Sequence, residues 1–403
     1  MRVLFITSAY PANVGDPRGT FIHVLARSLV EKGLEITVLA PGSPGTPTSE
    51  LRDGVQIRRA TYWIPRWQSL ATGLGGIVPN LRTKPWLAFQ VPTLLASLTW
   101  QAVRLARGMD LIHAHWVYPS GTAGAIASRI VAKPLVVTSH GGDLNLAMRS
   151  SLLRTIARWT ARRADMCIGV SHAMAERFMT LGIGNAKVRF LPLGVDVGEP
   201  RPEEALRKSP SLKAFAAFDG LRIVYAGSLI PRKAVHTLLE AQRRLAAADR
   251  RVASLIIGAG PCALQLHGEA ASVGPGLVFF VGSQPPDAVP SYMALGNVFV
   301  LPSLSEGRGL VVVEAMMTGL PVVSSDIDGP RELVEDGVTG FLFQPGDATG
   351  LATCLERFAS DQTLSTVMGA RARRAVREAG LTADGSANQH IAVYGEMLGR
   401  GLV

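Results

Sequence analysis

The chain is poor in cysteine, with only three in 403 residues, at Cys167, Cys262 and Cys354. An odd number of widely spaced cysteines argues against a disulfide framework and indicates a reducing compartment, so we expect a cytoplasmic protein. The sequence also contains no CxxC pair and no cysteine–histidine cluster. A structural zinc site is therefore not expected.

Long apolar runs are also missing. The N-terminal run Val3–Ile6 is too short for a signal peptide and is better interpreted as a first β-strand. The longest apolar tract, Trp86–Ala106, is interrupted by Gln90, Pro92, Gln101 and Arg104. We therefore do not expect a helix that spans a membrane.

The composition is that of a well-packed globular protein, with 47% hydrophobic and 18% charged residues. A length of 403 residues exceeds what one hydrophobic core usually organises. Apolar runs of strand length alternate with helical patterns, which predicts an α/β protein with two doubly wound, Rossmann-like parallel sheets. The predicted strands are Val3–Thr7, Ile36–Ala40, Leu111–Ala114, Leu135–Ser139, Met166–Val170, Val188–Leu191, Arg222–Ala226, Ala253–Ile257, Leu277–Val281, Val298–Leu301, Pro321–Ser324 and Gly340–Phe343.

The predicted organisation is an N-terminal domain at 1–195, a linker at 196–219 that is rich in proline and charge, and a C-terminal domain at 220–385. A final helix at 386–403 is expected to pack back toward the N-terminal domain. The stretch Tyr62–Pro85, rich in Trp, Gly and Pro, is predicted to be an irregular insertion.

The net charge is +10, which suits nucleic acid, an anionic membrane or an anionic small molecule as a partner. Four arginines, at 154, 158, 162 and 163, alternate with apolar residues in a pattern typical of a basic amphipathic helix. Such a helix suits peripheral contact with anionic lipid, and the alternative is an ordinary surface helix with solvated arginines. Nucleic acid is not an expected partner, because no basic–aromatic stacking motif occurs.

The strongest motif lies at residues 302–323, after a predicted strand. Glu306 lies in a loop, and a helix is predicted from Gly309 to a C-terminal cap at Gly319. Backbone amides over Gly307, Arg308, Gly309 and Leu310 can hold a diphosphate, because a helix N-terminus attracts anions. Ligands of doubly wound sheets bind beyond the carboxyl ends of the strands, where this loop falls.

Glu314 is the only charged residue in the run Leu310–Met317. A carboxylate on an apolar helix needs hydrogen-bond donors, and the hydroxyls of a ribose are suitable ones. Glu306 could contact a sugar. The alternative is that Glu314 caps a neighbouring loop and that Glu306 is solvated.

The frame PSxxEGxGLxxxEAMxxGxPVV, read from Pro302, resembles the signature of retaining glycosyltransferase family 4, whose members have the GT-B fold. The resemblance implies that the first glutamate, Glu306, lies at the donor sugar and that the second, Glu314, bonds the nucleotide ribose. Arg308 occupies a position where the family usually has an aromatic residue. An arginine there could add a phosphate contact or alter the donor pocket.

A second element, from Gly227 to Ala234, resembles the family's GRLxPxKG motif, whose Arg and Lys neutralise the donor diphosphate. Lys233 matches the lysine, whereas Ser228 replaces the arginine. Arg232 is close enough to substitute, because guanidinium groups bind phosphate well. The alternative is that Arg232 and Lys233 are simply solvated. Cations at the start of a helix are disfavoured by the helix dipole, and a bound anion would offset that effect.

Two elements of the N-terminal half resemble further family motifs. In the HGxD-like element, His140 corresponds to a histidine that contacts the donor sugar, and the alternative is a structural histidine. Asp143 is predicted to be a helix N-cap and is a weak candidate for acceptor binding. In the glycine-rich loop after the first strand, Gly19 is expected to lie against the leaving phosphate. Arg18 and Gly15 of the same loop are candidates for acceptor binding.

Weaker matches occur in the expected order. Leu191–Asp196 resembles the family's interdomain hinge, Gly329–Glu332 resembles its GxxE element, and Gly282 is expected to contact the base through its backbone. The GxGxxA pattern at Gly258 invites a nicotinamide-binding interpretation, which we reject because Pro261 lacks a needed amide. The pair Asp326 and Asp328 resembles a DxD metal motif of a different fold, so no metal is expected.

The resemblance implies a retaining, metal-independent hexosyltransferase without a cofactor. Its UDP- or GDP-linked donor sugar would face Glu306 and His140 across a cleft, and its acceptor would be a glycan or a lipid-linked molecule. A role in bacterial envelope polysaccharide or glycolipid biosynthesis, at the inner face of the plasma membrane, is expected. The alternatives are a GT-B-like sugar-nucleotide epimerase, a phosphorylase, and a catalytically weakened, membrane-docked partner subunit.

Overall fold

The computed structural model describes residues 1–13, 15–16, 18–73, 76–208, 210–274 and 276–399, without the side chains of Lys208 and Gln362. The chain divides into two compact units. Unit 1 comprises Met1–Gly194 and Ala383–Val403, and unit 2 comprises Val195–Thr382. Each unit is built on one sheet that is parallel or mainly parallel and is packed with helices, as predicted.

Unit 1 contains an eight-stranded sheet in the order β3-β4-β2-β1-β5-β6-β7-β8. Only β3 runs antiparallel to its neighbour. The strands are β1 (Arg2–Ile6), β2 (Glu35–Pro41), β3 (Ser49–Arg52), β4 (Val55–Ala60), β5 (Leu111–His115), β6 (Leu135–Ser139), β7 (Met166–Gly169) and β8 (Val188–Phe190). The central strands β5 and β6 are buried along their whole length, which explains their continuous apolar character. The edge hairpin of β3 and β4 was not predicted.

The helices of unit 1 cover the sheet with apolar stripes. In the first of them, Ile22, Leu25, Ala26 and Leu29 are buried at the spacing of one helix face. The helices are α1 (Thr20–Glu31), α2 (Ile77–Thr83), α3 (Gln90–Ala106), α4 (Thr122–Val131), α5 (Gly142–Arg149), α6 (Ser151–Arg163) and α7 (His172–Thr180). The predicted insertion at Tyr62–Pro85 therefore contains helix α2, and Leu74 and Gly75 within it lie outside the described residues.

Unit 2 contains a six-stranded parallel sheet in the order β11-β10-β9-β12-β13-β14. The strands are β9 (Leu221–Ala226), β10 (Val252–Ile257), β11 (Val278–Gly282), β12 (Val298–Leu301), β13 (Val322–Ser325) and β14 (Gly340–Phe343). The order reverses direction between β9 and β12, and in unit 1 it does so between β1 and β5. Ligands of doubly wound sheets bind at this switch point, beyond the carboxyl ends of the strands.

The predicted linker at 196–219 contains two short helices. Leu212 and Phe215 are buried in the same core as Val224 and Leu255, so this stretch is part of unit 2. Proline favours the first turn of a helix, and both short helices begin at a proline that was interpreted as a linker signal. The helices of unit 2 are α8 (Pro202–Lys208), α9 (Pro210–Ala216), α10 (Val235–Ala247), α11 (Ala263–Ala270), α12 (Val289–Met293), α13 (Leu310–Thr318), α14 (Ala348–Ser360) and α15 (Gln362–Glu378).

The last helix, α16 (Ala383–Met397), belongs to unit 1. Its Tyr394 is buried in the core of unit 1, and the hydroxyl of Ser386 donates to the carbonyl of Pro192 at 3.1 Å. The helix begins three residues before the predicted start at 386, and residues 400–403 lie outside the described residues. Within the described ranges, no helix is both long and apolar enough to span a bilayer.

Candidate functional site

Two loops meet at the switch point of unit 2. The loop after β9 contains a 3-10 turn at Pro231–Lys233 and leads into α10, and the loop after β12 leads into α13. The backbone amide of Leu304 donates to the carbonyl of Arg232 at 2.9 Å. The guanidinium of Arg232 in turn donates to the carbonyl of Ser305 at 2.7 Å. These contacts join the two predicted donor motifs into one surface.

Lys233 and Glu306 form the ion pair at the centre of this surface. The Nζ of Lys233 lies 2.5 Å from Oε1 of Glu306, and both side chains are largely buried. The hydroxyl of Ser303 donates to the same oxygen at 2.8 Å, and Arg232 lies 3.7 Å from Oε2. Burial disfavours the charged carboxylate, but Lys233 and Arg232 outweigh it and lower the pKa of Glu306. Glu306 is therefore ionised at neutral pH and not solvated.

Glu314 lies within α13, where it is half-buried. No hydrogen bond or ion pair with another described residue reaches its carboxylate, so it does not cap a neighbouring loop in the described part of the chain. Burial raises the pKa of Glu314 to about 7, and the nearby charge of Lys233 opposes that rise. The carboxyl of Glu314 is thus within range of the charge of Lys233 and lacks a hydrogen-bond donor among the described residues.

The N-terminus of α13 lies in the same surface. The helix begins at Leu310 after Gly309, which has φ +78°, and ends at the left-handed C-cap Gly319, as the sequence predicts. Because the first-turn amides of a helix lack intrahelical partners, they can bind an anion. Lysine, arginine and these amides together form a cationic surface around two carboxylates.

Arg308 points into the protein rather than outward. Its guanidinium is buried and its Nη1 lies 3.3 Å from Oε2 of Glu332, in the 3-10 turn Pro330–Glu332. Burial lowers the pKa of Arg308 to about 10, and Glu332 opposes this. The departure from the family's aromatic residue is therefore matched by an ion pair within unit 2. Glu332, the last residue of the GxxE-like element, is the partner of this arginine.

Gly227, Gly258 and Gly282 lie where the strands β9, β10 and β11 end. The amide of Gly227 donates to the carbonyl of Ile257 at 2.9 Å, and that of Gly258 donates to the carbonyl of Gly282 at 2.8 Å. A Cβ on Gly258 would lie 1.9 Å from the carbonyl oxygen of Gly227, so the GxGxxA pattern has a packing cause. The carbonyl of Ser228 accepts from the hydroxyl of Tyr225 at 3.1 Å, at the position where the family has arginine.

The corresponding edge of unit 1 carries aromatic rings. Nε2 of His140 lies 3.1 Å from Nδ1 of His115, and its ring also contacts Trp116 and Phe21. Burial lowers the pKa of His140 to about 3, with a further contribution from His390. His140 is therefore a neutral imidazole at physiological pH. Its neighbours were not predicted, although the His-Ala-His-Trp sequence at the end of β5 marks the switch point of this sheet.

Asp143 does not cap a helix, which corrects the prediction. Helix α5 begins at Gly142 with Gly141 at the cap position, so Asp143 is already helical. Its buried carboxylate accepts from the amide of Val117 and from the hydroxyl of Ser139, each at 2.7 Å. Burial raises its pKa despite these bonds. The carboxylate fixes the turns after β5 and β6.

The glycine-rich loop is held by contacts of its own. Gly19 has φ +65°, and a Cβ there would lie 2.4 Å from the carbonyl oxygen of Ala9. Packing within unit 1 thus already requires glycine at this position. Arg18 pairs with Asp16, Nη2 to Oδ2 at 2.7 Å, and also donates to the carbonyl of Ala71 at 3.2 Å. Gly15 is exposed, with φ +89°.

A chain of three polar side chains beside this loop was missed. The hydroxyl of Tyr10 lies 2.6 Å from Nδ1 of His23, and Nε2 of His23 lies 2.8 Å from Oδ2 of Asp53. Asp53 lies in the turn between β3 and β4, with φ +49°. Because those two strands were not predicted, the sequence could not place Asp53 near His23. The network anchors the start of α1 and the loop that precedes it.

Among the described residues, no group of three or more His, Cys, Asp or Glu side chains is arranged to hold a metal ion. Asp326 of the DxD-like pair forms an ion pair with Arg331.

Comparison with known proteins gives matches over most of the chain. Residues 19–199 match the family described as Glycosyltransferase Family 4, and residues 214–375 match Glycosyl transferases group 1. The 2-deoxystreptamine glucosyltransferase of Streptomyces kanamyceticus is 30% identical over 366 residues, 84% of this chain and 88% of that protein.

Two further matches agree with this result. The putative teichuronic acid biosynthesis glycosyltransferase TuaC of Bacillus subtilis (strain 168) is 28% identical over 382 residues, 90% of each chain. Among solved structures, the sucrose-phosphate synthase of Thermosynechococcus elongatus superimposes with a TM-score of 0.79 at 22% identity. That alignment covers 99% of this chain and all of the other, and it shows a common fold.

Proposed function

The chain belongs to glycosyltransferase family 4 and has the GT-B fold, and on that premise we propose that unit 2 binds the nucleotide diphosphate of a UDP- or GDP-sugar. The observation that carries the proposal is the cluster of Lys233, Glu306 and Glu314 at the switch point of its sheet. Lys233 is a cation that can bind phosphate, and the carboxylate of Glu314 lacks a hydrogen-bond donor among the described residues. The pair therefore suits a ligand that supplies both phosphate and hydroxyl groups.

The proposed roles follow from this chemistry. Lys233, Arg232 and the amides of Gly309 and Leu310 bind the diphosphate, and Glu314 accepts hydrogen bonds from the ribose. Glu306 orients Lys233 and contacts the transferred sugar. Backbone groups of Gly227, Ser228, Gly307 and Gly282 line the nucleotide, and Arg308 shapes this surface through Glu332.

We assign the enzyme a retaining reaction without a metal or cofactor. The acceptor hydroxyl oxygen bonds to the anomeric carbon on the face from which the diphosphate departs. The bond from that carbon to the phosphate oxygen breaks, and the hydroxyl proton passes to the released phosphate. Lys233, Arg232 and the dipole of α13 stabilise the charge that develops on the leaving group, usually the largest catalytic contribution of a protein.

Unit 1 is assigned to the acceptor. The loop with Gly15, Arg18 and Gly19, fixed by Asp16, is the proposed acceptor surface. His140 is assigned to the donor sugar, because its neutral ring can exchange hydrogen bonds with a sugar hydroxyl without adding charge. The contact of Gly19 with the leaving phosphate stays a prediction from the family resemblance, and Asp143 supports the turns rather than contacting the acceptor.

The proposed acceptor is a glycan or lipid-linked molecule of bacterial polysaccharide or glycolipid biosynthesis, which the name of TuaC supports. A cytoplasmic location and contact with an anionic membrane are part of the same proposal. The predicted basic helix is α6, whose arginines lie mostly outward, but Leu152 is its only strongly exposed large apolar side chain. The membrane-binding surface is therefore considered separately below.

Thermal stabilisation by a panel of UDP- and GDP-sugars tests donor binding. At least one should raise the Tm of the wild-type protein and of the control Lys213→Ala, which alters an exposed lysine of α9, but not that of Lys233→Ala. Stabilisation of all three proteins to the same extent would contradict the assignment. Transfer with the donor so identified should give a product with the donor's anomeric configuration by NMR; inversion, or an epimerised donor, would contradict the reaction.

A further inference from the structure

Unit 1 exposes a set of large aromatic side chains that the proposed reaction does not use. Phe89 is 75% exposed, Trp100 59%, Trp86 58% and Trp67 54%. We refer to Trp63, Ile64, Trp67, Trp86, Phe89 and Trp100 as the aromatic face. It contains four of the six tryptophans of the chain. Where exposed apolar side chains of this size form one patch, the patch usually marks a site of interaction.

Hydrogen bonds hold these residues in one folded surface. The side-chain amide of Gln90, at the start of α3, donates to the carbonyl of Trp67 at 3.0 Å, and its oxygen accepts from Ser69 and Leu70. The hydroxyl of Ser97 donates to the carbonyl of Thr61 at 2.7 Å. The loop with Trp63 and Trp67 is thereby fixed against α3, which begins at Gln90, directly after Phe89.

Helix α3 is amphipathic, with an outward stripe. Leu94, Leu98, Ala102 and Ala106 are buried at intervals of four, whereas Ala96, Trp100 and Arg104 are exposed at the same interval on the other side. The Arg104 guanidinium lies 4.6 Å from the centre of the Trp100 ring. The outward stripe therefore combines an aromatic ring with a cation.

The segment that carries the aromatic face has charge of one sign. The sequence from Gly54 to Met109 contains no aspartate or glutamate. Its exposed cations are Arg58, Arg66, Arg82, Lys84, Arg104 and Arg107. Arg66 lies over Trp67, with 4.6 Å between its guanidinium and the ring centre. Tryptophan suits the interface between water and acyl chains, and lysine or arginine beside it is attracted to anionic headgroups.

From this combination we propose that the aromatic face binds an anionic lipid bilayer. The face is joined to the acceptor loop, because Arg18 donates to the carbonyl of Ala71 in the loop that Gln90 fixes. On the proposed function, the enzyme then takes its acceptor from the membrane as a lipid-linked molecule. Helix α6 differs, because its arginines can attract headgroups but only Leu152 could enter the acyl region.

Vesicle binding by the full chain tests the inference. We expect the wild-type protein to co-sediment with phosphatidylcholine vesicles that contain phosphatidylglycerol, and much less with phosphatidylcholine alone. The double variant Trp86→Ser, Phe89→Ser should bind at least about tenfold more weakly, since two apolar rings no longer enter the bilayer. The matched control Leu152→Ser should bind within about threefold of wild type. Brominated lipid should quench tryptophan fluorescence in the wild-type protein.

Two results would overturn the proposal: absence of wild-type binding to the anionic vesicles, or equal binding by wild type and the double variant. Light scattering could give a third contradicting result. If the wild-type protein is a dimer that does not bind vesicles, and the double variant is a monomer, then a second copy of the chain covers the face. Nucleotide-sugar stabilisation, measured without vesicles on the same variants, verifies folding. It also separates the two proposals: failure of donor binding alone contradicts the reaction, and failure of vesicle binding alone contradicts the lipid surface.

Discussion

Units 1 and 2 have the same sheet architecture, yet their switch points differ in chemistry. In unit 2 the loops after β9 and β12 bring together Lys233, Arg232, Glu306 and Glu314. In unit 1 the start of α1, the end of β5 and the end of β6 bring together neutral rings, with His140 at the centre.

This difference shows that backbone topology sets where a ligand can bind, whereas the side chains at the strand ends set which ligand. A bound diphosphate is anionic and needs cationic side chains and backbone amides around it, which unit 2 supplies. Neutral hydroxyl groups need donors and acceptors without net charge, which an unprotonated imidazole supplies. The predictions below test this division.

The largest effect is expected for Lys233→Ala. Removing a cation that stabilises the leaving diphosphate should lower kcat/KM by about 10²–10³. Steady-state transfer assays with the donor found by thermal stabilisation measure it, and Lys213→Ala is the control that keeps wild-type kinetics. A decrease in kcat/KM of less than threefold would contradict the assignment of the leaving diphosphate to unit 2.

Glu306→Gln should lower kcat/KM by about 10², somewhat less than Lys233→Ala. The amide keeps the shape of the side chain but no longer orients Lys233 by charge. The thermal melt of the variant verifies its fold. Activity equal to that of wild type would mean that Glu306 is only a counter-ion of the lysine and contacts no sugar.

Acid should destabilise unit 1 before unit 2. Burial lowers the pKa of His140 to about 3 and of His390 to about 4, from 6.5. The unfolded chain therefore binds protons that the folded chain cannot, so stability is lost as the pH falls below about 6.5 toward those values. At pH 5 the loss is about 1–2 kcal/mol for each histidine.

Hydrogen exchange at pH 7 and pH 5 measures this difference, with β5 and β6 losing more protection than β9 and β12. The variant His390→Leu should reduce the pH dependence of unit 1, whereas the exposed control His236→Asn should not. Equal loss of protection in both units would show that the buried histidines do not determine acid sensitivity.

The smallest effect concerns Glu314, whose pKa is about 7. Only the carboxylate form accepts hydrogen bonds from both ribose hydroxyls, so donor affinity should rise by about tenfold from pH 6 to pH 8. Calorimetric titration with a nucleotide sugar, whose diphosphate does not titrate in this range, measures the change. Glu314→Gln should show a flat profile, and an unchanged pH dependence in that variant would exclude the ribose assignment.

Most of the fold followed from the sequence, because buried parallel strands are mainly apolar runs of strand length. Leu135–Ser139, Val298–Leu301 and Gly340–Phe343 were predicted to the residue. The edge strand β3 and its neighbour β4 were missed because they carry exposed polar side chains such as Arg58. The stretch 196–219 was predicted to be a linker because of its prolines. Pro202 and Pro210 instead lie at the first positions of helices α8 and α9.

The site was predicted less evenly. Motif spacing placed Glu306, Glu314 and Lys233 at one sheet edge, and the structure brings them together. Sequence reasoning could not see that Arg308 pairs with Glu332, or that Asp143 binds the amide of Val117. Those contacts join residues 24 and 26 positions apart, and they depend on the packing of loops rather than on local periodicity.

Hydrogen exchange with and without a bound nucleotide sugar tests the central claim most directly. Saturating donor should slow exchange of the amides at 228–234 and at the start of α13 in wild type, and the same concentration should have no such effect in Lys233→Ala. Protection that appears at the ends of β5 and β6 instead, or that persists in Lys233→Ala, would contradict the assignment of the donor diphosphate to unit 2.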